Sequence, residues 1–385
     1  MAFHNINTIY LNDAFDPKSN NFGFLRFALA SLVVFSHCHP LGGFASAKLF
    51  GSPQAQEDYG SFAVTSFFIL SGFLITRSYT TTSSVWRFLW HRILRIFPGY
   101  WVCLLVTVLI FAPLIYLFEN GHLNGYFQTQ IQNPLTYLSA NFLLDIKQSG
   151  IGNLFVKDVP YPIFFNVSLW TLVYEFKFYL FVAILGVVGI FNFYKKIVLY
   201  LFLFLCLMFV FDLAVPGIAS KIIPYFSDIY LLKLLIYFLA GCVYFLYKEK
   251  IVFNNRFFVL SAILIVVSIN DKSYNLVAPF TLPYILFWLA FKLPFRNFDK
   301  YGDFSYGLYI YSSPVEQMLA FFGLHKRGFI VYFLLSILVA IILSVLSYEF
   351  IEKPALKLKK LRFKDIIKIL NSFKKFMMNK LKFFM

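Results

Sequence analysis

Arg26 and His37 stand eleven positions apart in FLRFALASLVVFSHCHPLGG (24–43), a run that is otherwise almost wholly apolar. Eleven steps of ~100° make three turns plus ~20°, so on a helix the two side chains share a face, ~16 Å apart along the axis. That geometry belongs either to two snorkelling ends or to a bipolar site inside a membrane. In HRILRIFPGYW (91–101), Arg92 and Arg95 are three apart and face the same way. Two guanidiniums so placed either flank a span with positive charge or clamp a phosphate bidentately. SLWTLVYEFKFYL (168–180) carries Ser168, Thr171, Glu175 and Tyr179 as a polar stripe through an apolar run. Glu175 in hydrocarbon is very unfavourable, so it must face the interior and pair, with Arg26 or Lys177 as the structural choice. Three weaker segments follow. Ser71-Gly72 in SFFILSGFLIT (66–76) allows close helix approach. YGDFSYGLYIYSSPVEQ (301–317) sets Tyr306, Tyr309, Glu316 and Gln317 in or near a span. SYEFIEKPA (347–355) carries Glu349 and Glu352 before Pro354.

The elements that position these groups are membrane spans. Of 385 residues, 60% are hydrophobic and only 14% charged, against about 25% charged in a soluble protein. The apolar runs are continuous, unlike the short alternating strands of a barrel. The expected fold is all-α, a polytopic transmembrane bundle. About ten spans fall near 22–40, 61–77, 98–118, 167–190, 197–215, 229–247, 257–270, 278–293, 304–323 and 329–349. Residues 22–40 read as a retained span rather than a cleaved leader, because His37 interrupts the apolar stretch. Arg77, Arg87, Arg92 and Arg95, then Lys195 and Lys196, then Lys248, Lys250 and Arg256, then Lys292, Arg296 and Lys300 fall on alternate connections. His325-Lys326-Arg327 is the exception. The positive-inside rule therefore places both termini in the cytoplasm and the 41–60 and 119–166 loops outside. Within 119–166, the moderately apolar Pro134–Leu144 is expected to lie on the membrane or dip into it. The +16 net charge is thus a topology signal, not a nucleic-acid surface; residues 355–385 alone hold ten Lys/Arg against one Asp. That end reads as a basic amphipathic helix on anionic lipid, so the chain divides into a membrane domain, 1–355, and a tail, 356–385. Cys38, Cys103, Cys206 and Cys242 show no CxxC and no pairing pattern, and read as reduced buried thiols.

Together these pieces resemble acyltransferase family 3, bacterial membrane O-acyltransferases that modify sugars. The resemblance covers residues 22–355. Arg26-x10-His37 matches the family's first motif, and Phe67-Phe68-x-x-Ser71-Gly72-Phe73-Leu74 its second. Arg92-x-x-Arg95-Ile96-x-Pro98-x-Tyr100-Trp101 is similar to the third. Ser168-Leu169-Trp170 with Glu175 and Tyr179 is similar to the fourth. Ser305-Tyr306-x-Leu308-Tyr309 and Ile351-Glu352-Lys353-Pro354 complete the order. One departure is Ser312, where many members have histidine.

The resemblance implies an O-acetyltransferase of the cytoplasmic membrane. Its donor would be cytoplasmic acetyl-CoA, with no metal. Its acceptor would be an envelope glycan, an exopolysaccharide, lipopolysaccharide or lipid-linked sugar. Arg92 and Arg95 would hold donor phosphates, with Arg26 binding a phosphate or balancing Glu175. His37 would act as base and Glu175 would orient it. Ser71, Trp170, Tyr179, Tyr306 and Tyr309 would support the substrates. Some members carry a fused extracytoplasmic transferase domain; this chain would complete transfer itself or hand the acyl group to a separate protein. A transporter or flippase for a polar or anionic solute is the competing class, against which stands the lack of two-half symmetry or paired broken spans.

Overall fold

The computed structural model describes residues 8–82 and 84–360. Ten long helices carry the chain: α1 Phe22–Leu41, α2 Tyr59–Thr80, α3 Val85–Asn120, α4 Leu169–Val187, α5 Lys196–Ala214, α6 Ile229–Leu246, α7 Asn255–Asn270, α8 Tyr274–Lys292, α9 Ser305–Phe321 and α10 Phe329–Lys360. Each expected span has its helix. Eight are long and apolar enough to cross a membrane; α7 and α9, with 16 and 17 residues, are the short ones. The chain is therefore a multi-pass membrane protein. Among the described residues there is no strand, only the isolated bridges Tyr10–Val252 and Lys48–Asp58. All four cysteines are buried free thiols.

Two boundaries differ from the sequence reading. α3 begins at Val85 rather than near 98 and runs 36 residues to Asn120, ~54 Å at 1.5 Å per residue. That exceeds a ~30 Å hydrocarbon core, so the half carrying Arg87, Arg92 and Arg95 needs no apolar sequence. α10 likewise continues to Lys360, through a π turn at Tyr348–Glu352 that leaves Glu352 only 2% exposed. The first tail residues pack back on α3, where Trp90 Nε1 donates to Leu358 O at 3.3 Å. The rest of the basic tail lies outside the described residues.

α9 explains how a helix can be both polar and central. Ser305, Ser312, Ser313, Glu316 and Gln317 are all buried, because α1 and α10 flank it and no face needs to suit lipid. Pro314 has no N–H, so the Ile310 carbonyl lacks its partner within the helix. Asn166 Nδ2, from the loop before α4, donates to that carbonyl at 2.8 Å, and Ser313 Oγ accepts from Val167 N at 2.9 Å. The long 121–168 connection is thereby pinned to the middle of α9. Its Pro134–Ala140 segment forms a short helix, and Asn141 after it accepts from the Tyr100 hydroxyl of α3.

α2 and α6 make the most extensive helix pair. Gly72 and Gly241 let their backbones touch: a Cβ on Gly72 would lie 1.9 Å from Phe238 O, and one on Gly241 2.0 Å from Ile69 O. The neighbours are backbone atoms and cannot swing aside. Gly72→Ala is therefore expected to destabilise by ~1–3 kcal/mol or more through overpacking. Thermal unfolding in detergent would check this, with Ser71→Ala, one residue away and facing a cavity, as the variant that should unfold near the wild-type temperature.

Candidate active site

The arginines gather in a cavity of about 150 Å³ lined from α1, α2, α3, α4 and α9. Arg26, Arg92, Arg95, Glu175 and Tyr179 all face it, with Ser71, Tyr306 and Tyr309. It lies at the basic end of the bundle, where Arg77 and Lys248 both sit over the Phe15 ring at 5.4 and 5.8 Å. The three guanidiniums are not equivalent. Asp303, in the loop before α9, forms an ion pair with Arg26 at 3.1 Å and accepts from Arg95 at 2.6 Å, both through Oδ2, and accepts from Ser305 Oγ at 2.6 Å through Oδ1. Burial would raise the Asp303 pKa; the two arginines overcome this and hold it well below the usual carboxylate range. Arg95 also reaches Glu352 of α10 at 3.6 Å. Four parts of the bundle are thus tied by one ion network. Arg92 has no ion pair among the described residues. Its Nε is buried without a hydrogen-bond partner, and its guanidinium lies 5.7 Å from the Tyr179 ring centroid. The Tyr179 hydroxyl in turn donates to Glu175.

His37 belongs to a second cavity, of about 340 Å³, lined by α1, α2, α4, α6 and α9 and the loop between α1 and α2. Its Nδ1 pairs with Ser168 Oγ at 3.3 Å. Ser168 is itself fixed, since its N–H donates to Asn166 Oδ1 at 3.0 Å and Asn166 is held on α9. Nε2 makes no hydrogen bond among the described residues and is the nitrogen left for chemistry. Asp58, Ser36, Thr65, Trp170 and Lys233 share this cavity.

Tyr309 and Val64 belong to the walls of both cavities. The Tyr309 hydroxyl has a single proton, which it donates to Ser168 O at 2.6 Å, so Thr171 Oγ1 at 2.5 Å must donate to it. The wall between the arginine side and the histidine side is therefore hydrogen-bonded to the residue that holds His37.

This arrangement gathers the candidate catalytic, donor-binding and supporting residues around two adjoining cavities, but with different partners, whereas Glu316 and Gln317 are buried outside both linings and Glu349 pairs with Lys353. Glu175 pairs with none of its expected partners: Arg26 is paired with Asp303, His37 with Ser168, Lys177 lies over the Tyr174 ring, and Glu175 takes the Tyr179 hydroxyl. A helix stripe fixes which face a side chain takes, not which neighbour it meets. Trp170 lines the histidine cavity rather than the arginine one. Tyr306 donates to Ile96 O at 2.6 Å and lies beneath the Arg95 guanidinium, 5.6 Å from it. Ser312 is wholly buried and bonds Tyr309 O at 3.2 Å within its own helix. Two acids stand outside the sequence motifs. Asp303 has a weak signal, a charge directly before Ser305-Tyr306 at a span edge. Asp58 has only its place as N-cap of α2, where Oδ1 accepts from Ser61 N at 2.7 Å. Yet Asp58, not Glu175, is the acid that shares a cavity with His37.

A family model described as an acyltransferase domain matches residues 20–349. Over 339 residues, 87% of this chain and 96% of the relative, the chain is 26% identical to a protein of Shigella phage Sf6 described as an O-acetyl transferase. Over 184 residues, 44% of each chain, it is 32% identical to Nodulation protein 10 of Rhizobium leguminosarum bv. viciae. No solved structure matches.

Proposed function

This chain belongs to acyltransferase family 3 and is an acyltransferase, and on that premise we propose that it moves an acetyl group from cytoplasmic acetyl-CoA to a sugar hydroxyl of an envelope glycan. The carrying observation is the pair of adjoining cavities, one holding an unpaired arginine and the other a histidine, with Tyr309 and Val64 common to both walls. The acetyl group is supported by the phage relative, which is described as an O-acetyl transferase. The direction is supported by the basic end of the bundle, which the charge rule sets in the cytoplasm.

The residues fit an anionic thioester donor. Arg92 offers a guanidinium outside any ion pair among the described residues, with a buried, unpartnered Nε, suited to a phosphate. Arg95 and Arg26 spend their charge on Asp303 and Glu352, so their part is to hold the cavity's shape. Glu175 fixes the Tyr179 hydroxyl and thereby the ring beside Arg92. The donor supplies an activated acetyl carbonyl. His37 Nε2 takes the proton of the attacking sugar hydroxyl as the C–O bond forms, and returns it to the thiolate as the C–S bond breaks. Ser168 Oγ on Nδ1 keeps the imidazole aimed.

The test is transfer of label from radioactive acetyl-CoA to envelope glycan by the purified chain in lipid nanodiscs; folded protein that labels no glycan refutes the reading. Arg92→Ala is expected to weaken acetyl-CoA binding about 10- to 100-fold, the worth of a charged hydrogen bond. Arg92→Lys should lose less, since it keeps the charge but not the planar fork. Equal donor affinity in Arg92→Ala, by isothermal titration, would remove the phosphate role.

A further inference from the structure

Within that reading, the charges of the histidine cavity narrow the acceptor. Its lining holds two charged side chains, Asp58 and Lys233. Lys233 is cancelled: its Nζ lies 2.5 Å from Glu57 Oε1, and both are largely buried, at 15% and 7% exposure. Asp58 is not cancelled. Its Oδ1 caps α2, and Oδ2 has no hydrogen-bond partner among the described residues. Lys48, bridged to Asp58 through the backbone, is exposed and makes no ion pair with it within 4 Å. With the Lys233–Glu57 pair neutral, the cavity carries one negative charge beside His37.

The rest of the lining suits a carbohydrate ring. Trp170 is 36% exposed and Tyr230 55%, their ring centroids 5.2 Å apart at 68°. An apolar sugar face stacks on such a ring, while hydroxyls at Ser36, Ser61 and Thr65 meet its edge.

We propose that this cavity is the acceptor subsite, and that it takes an uncharged sugar residue and rejects uronic acids and phosphorylated sugars. A second carboxylate held several ångströms from Asp58 in a partly dry cavity is repelled strongly. The proposal rests on the transferase reading but is separable from it by experiment. The purified chain in nanodiscs is given radioactive acetyl-CoA with p-nitrophenyl β-D-glucoside or its glucuronide, which differ only at C6. Envelope glycan serves as the reference acceptor.

The ratio of kcat/KM for glucoside over glucuronide is expected to be about 10–100 in the wild type, and to fall to within a few-fold in Asp58→Asn. Asparagine keeps the helix cap, and Asp58→Ser provides a second capping variant. Each ratio is taken within one preparation, so lower yield does not affect it. Equal use of the two glycosides, or a ratio unmoved by both substitutions, overturns charge selection. Labelled envelope glycan with neither glycoside labelled overturns a single-sugar subsite. Folded protein that labels nothing brings down the transferase reading, and this proposal with it.

Discussion

Replacing His37 by alanine is expected to cut acyl transfer by ~10²–10⁴-fold, the usual loss of a general base, with the protein still folded in the membrane. The two halves of this expectation have separate grounds. The imidazole lines a cavity rather than filling the core, and its hydrogen bond is to one serine hydroxyl. Removing it therefore opens little new void and strands no charge. Its chemistry is not replaceable, because Lys233 is held by Glu57, Tyr309 donates to Ser168 O, Tyr230 is a phenol, and a carboxylate such as Asp58 is a weaker base than an imidazole. Ser168→Ala should give a smaller loss, since it frees the ring without removing the base. Acetylation of envelope glycan at matched membrane levels is the measurement, and unimpaired acetylation by His37→Ala would end the base assignment.

Asp303→Ala is expected to damage the fold more than any arginine-cavity substitution. It leaves Arg26 with no ion pair and Arg95 with only Glu352 at 3.6 Å. Breaking a largely buried pair by removing one partner costs ~3–5 kcal/mol, and here one carboxylate serves two guanidiniums. Arg92→Ala, which breaks no ion pair, should shift stability by about 1 kcal/mol or less. Thermal unfolding of the two variants side by side tests the contrast; equal loss in both would mean the network is not structural. The same carboxylate fixes a pH response. Asp303 titrates lower in the folded state than in the unfolded chain, so its contribution is complete above the unfolded value of about 4. It is lost as pH falls from there towards the folded value.

The spans were legible because lipid imposes a simple demand: about twenty apolar residues in a row, with cations left on one side. Even short, polar α9 could be placed, between two basic or turn-rich connections. Helical period puts Arg26 and His37 on one face, and they line the two adjoining cavities rather than one. The start of α3 was not legible, since a helix extending beyond the hydrocarbon has no reason to be apolar. The partner of Glu175 was not legible either. Period gives its face, but Tyr179, one turn further along the same helix, takes the hydrogen bond. Asp303 and Asp58 were hidden for a related reason. Each sits just before a helix, where an acid looks like ordinary capping, and only packing shows that one serves two arginines and the other faces His37.

The wall formed by Tyr309 and Val64 has a consequence for the cell's energy supply. An energised membrane holds ~2.3 kcal/mol per elementary charge for each 100 mV. An aqueous path from Arg92 to His37 would let protons run down that gradient at every turnover. Two cavities that share the Tyr309 and Val64 wall, rather than one continuous passage, limit the leak. Tyr309 keeps its hydroxyl proton on the Ser168 carbonyl, with Thr171 closing its other side, so no free water chain is needed to satisfy it. In the proposed transfer, the thioester arm of the donor reaches the histidine side past a locally displaced wall side chain and the C–S bond breaks there, whereas a hydrated ion finds no such path. On the proposed reading, such a wall would let transfer to a sugar outside draw on a cytoplasmic donor without discharging the membrane.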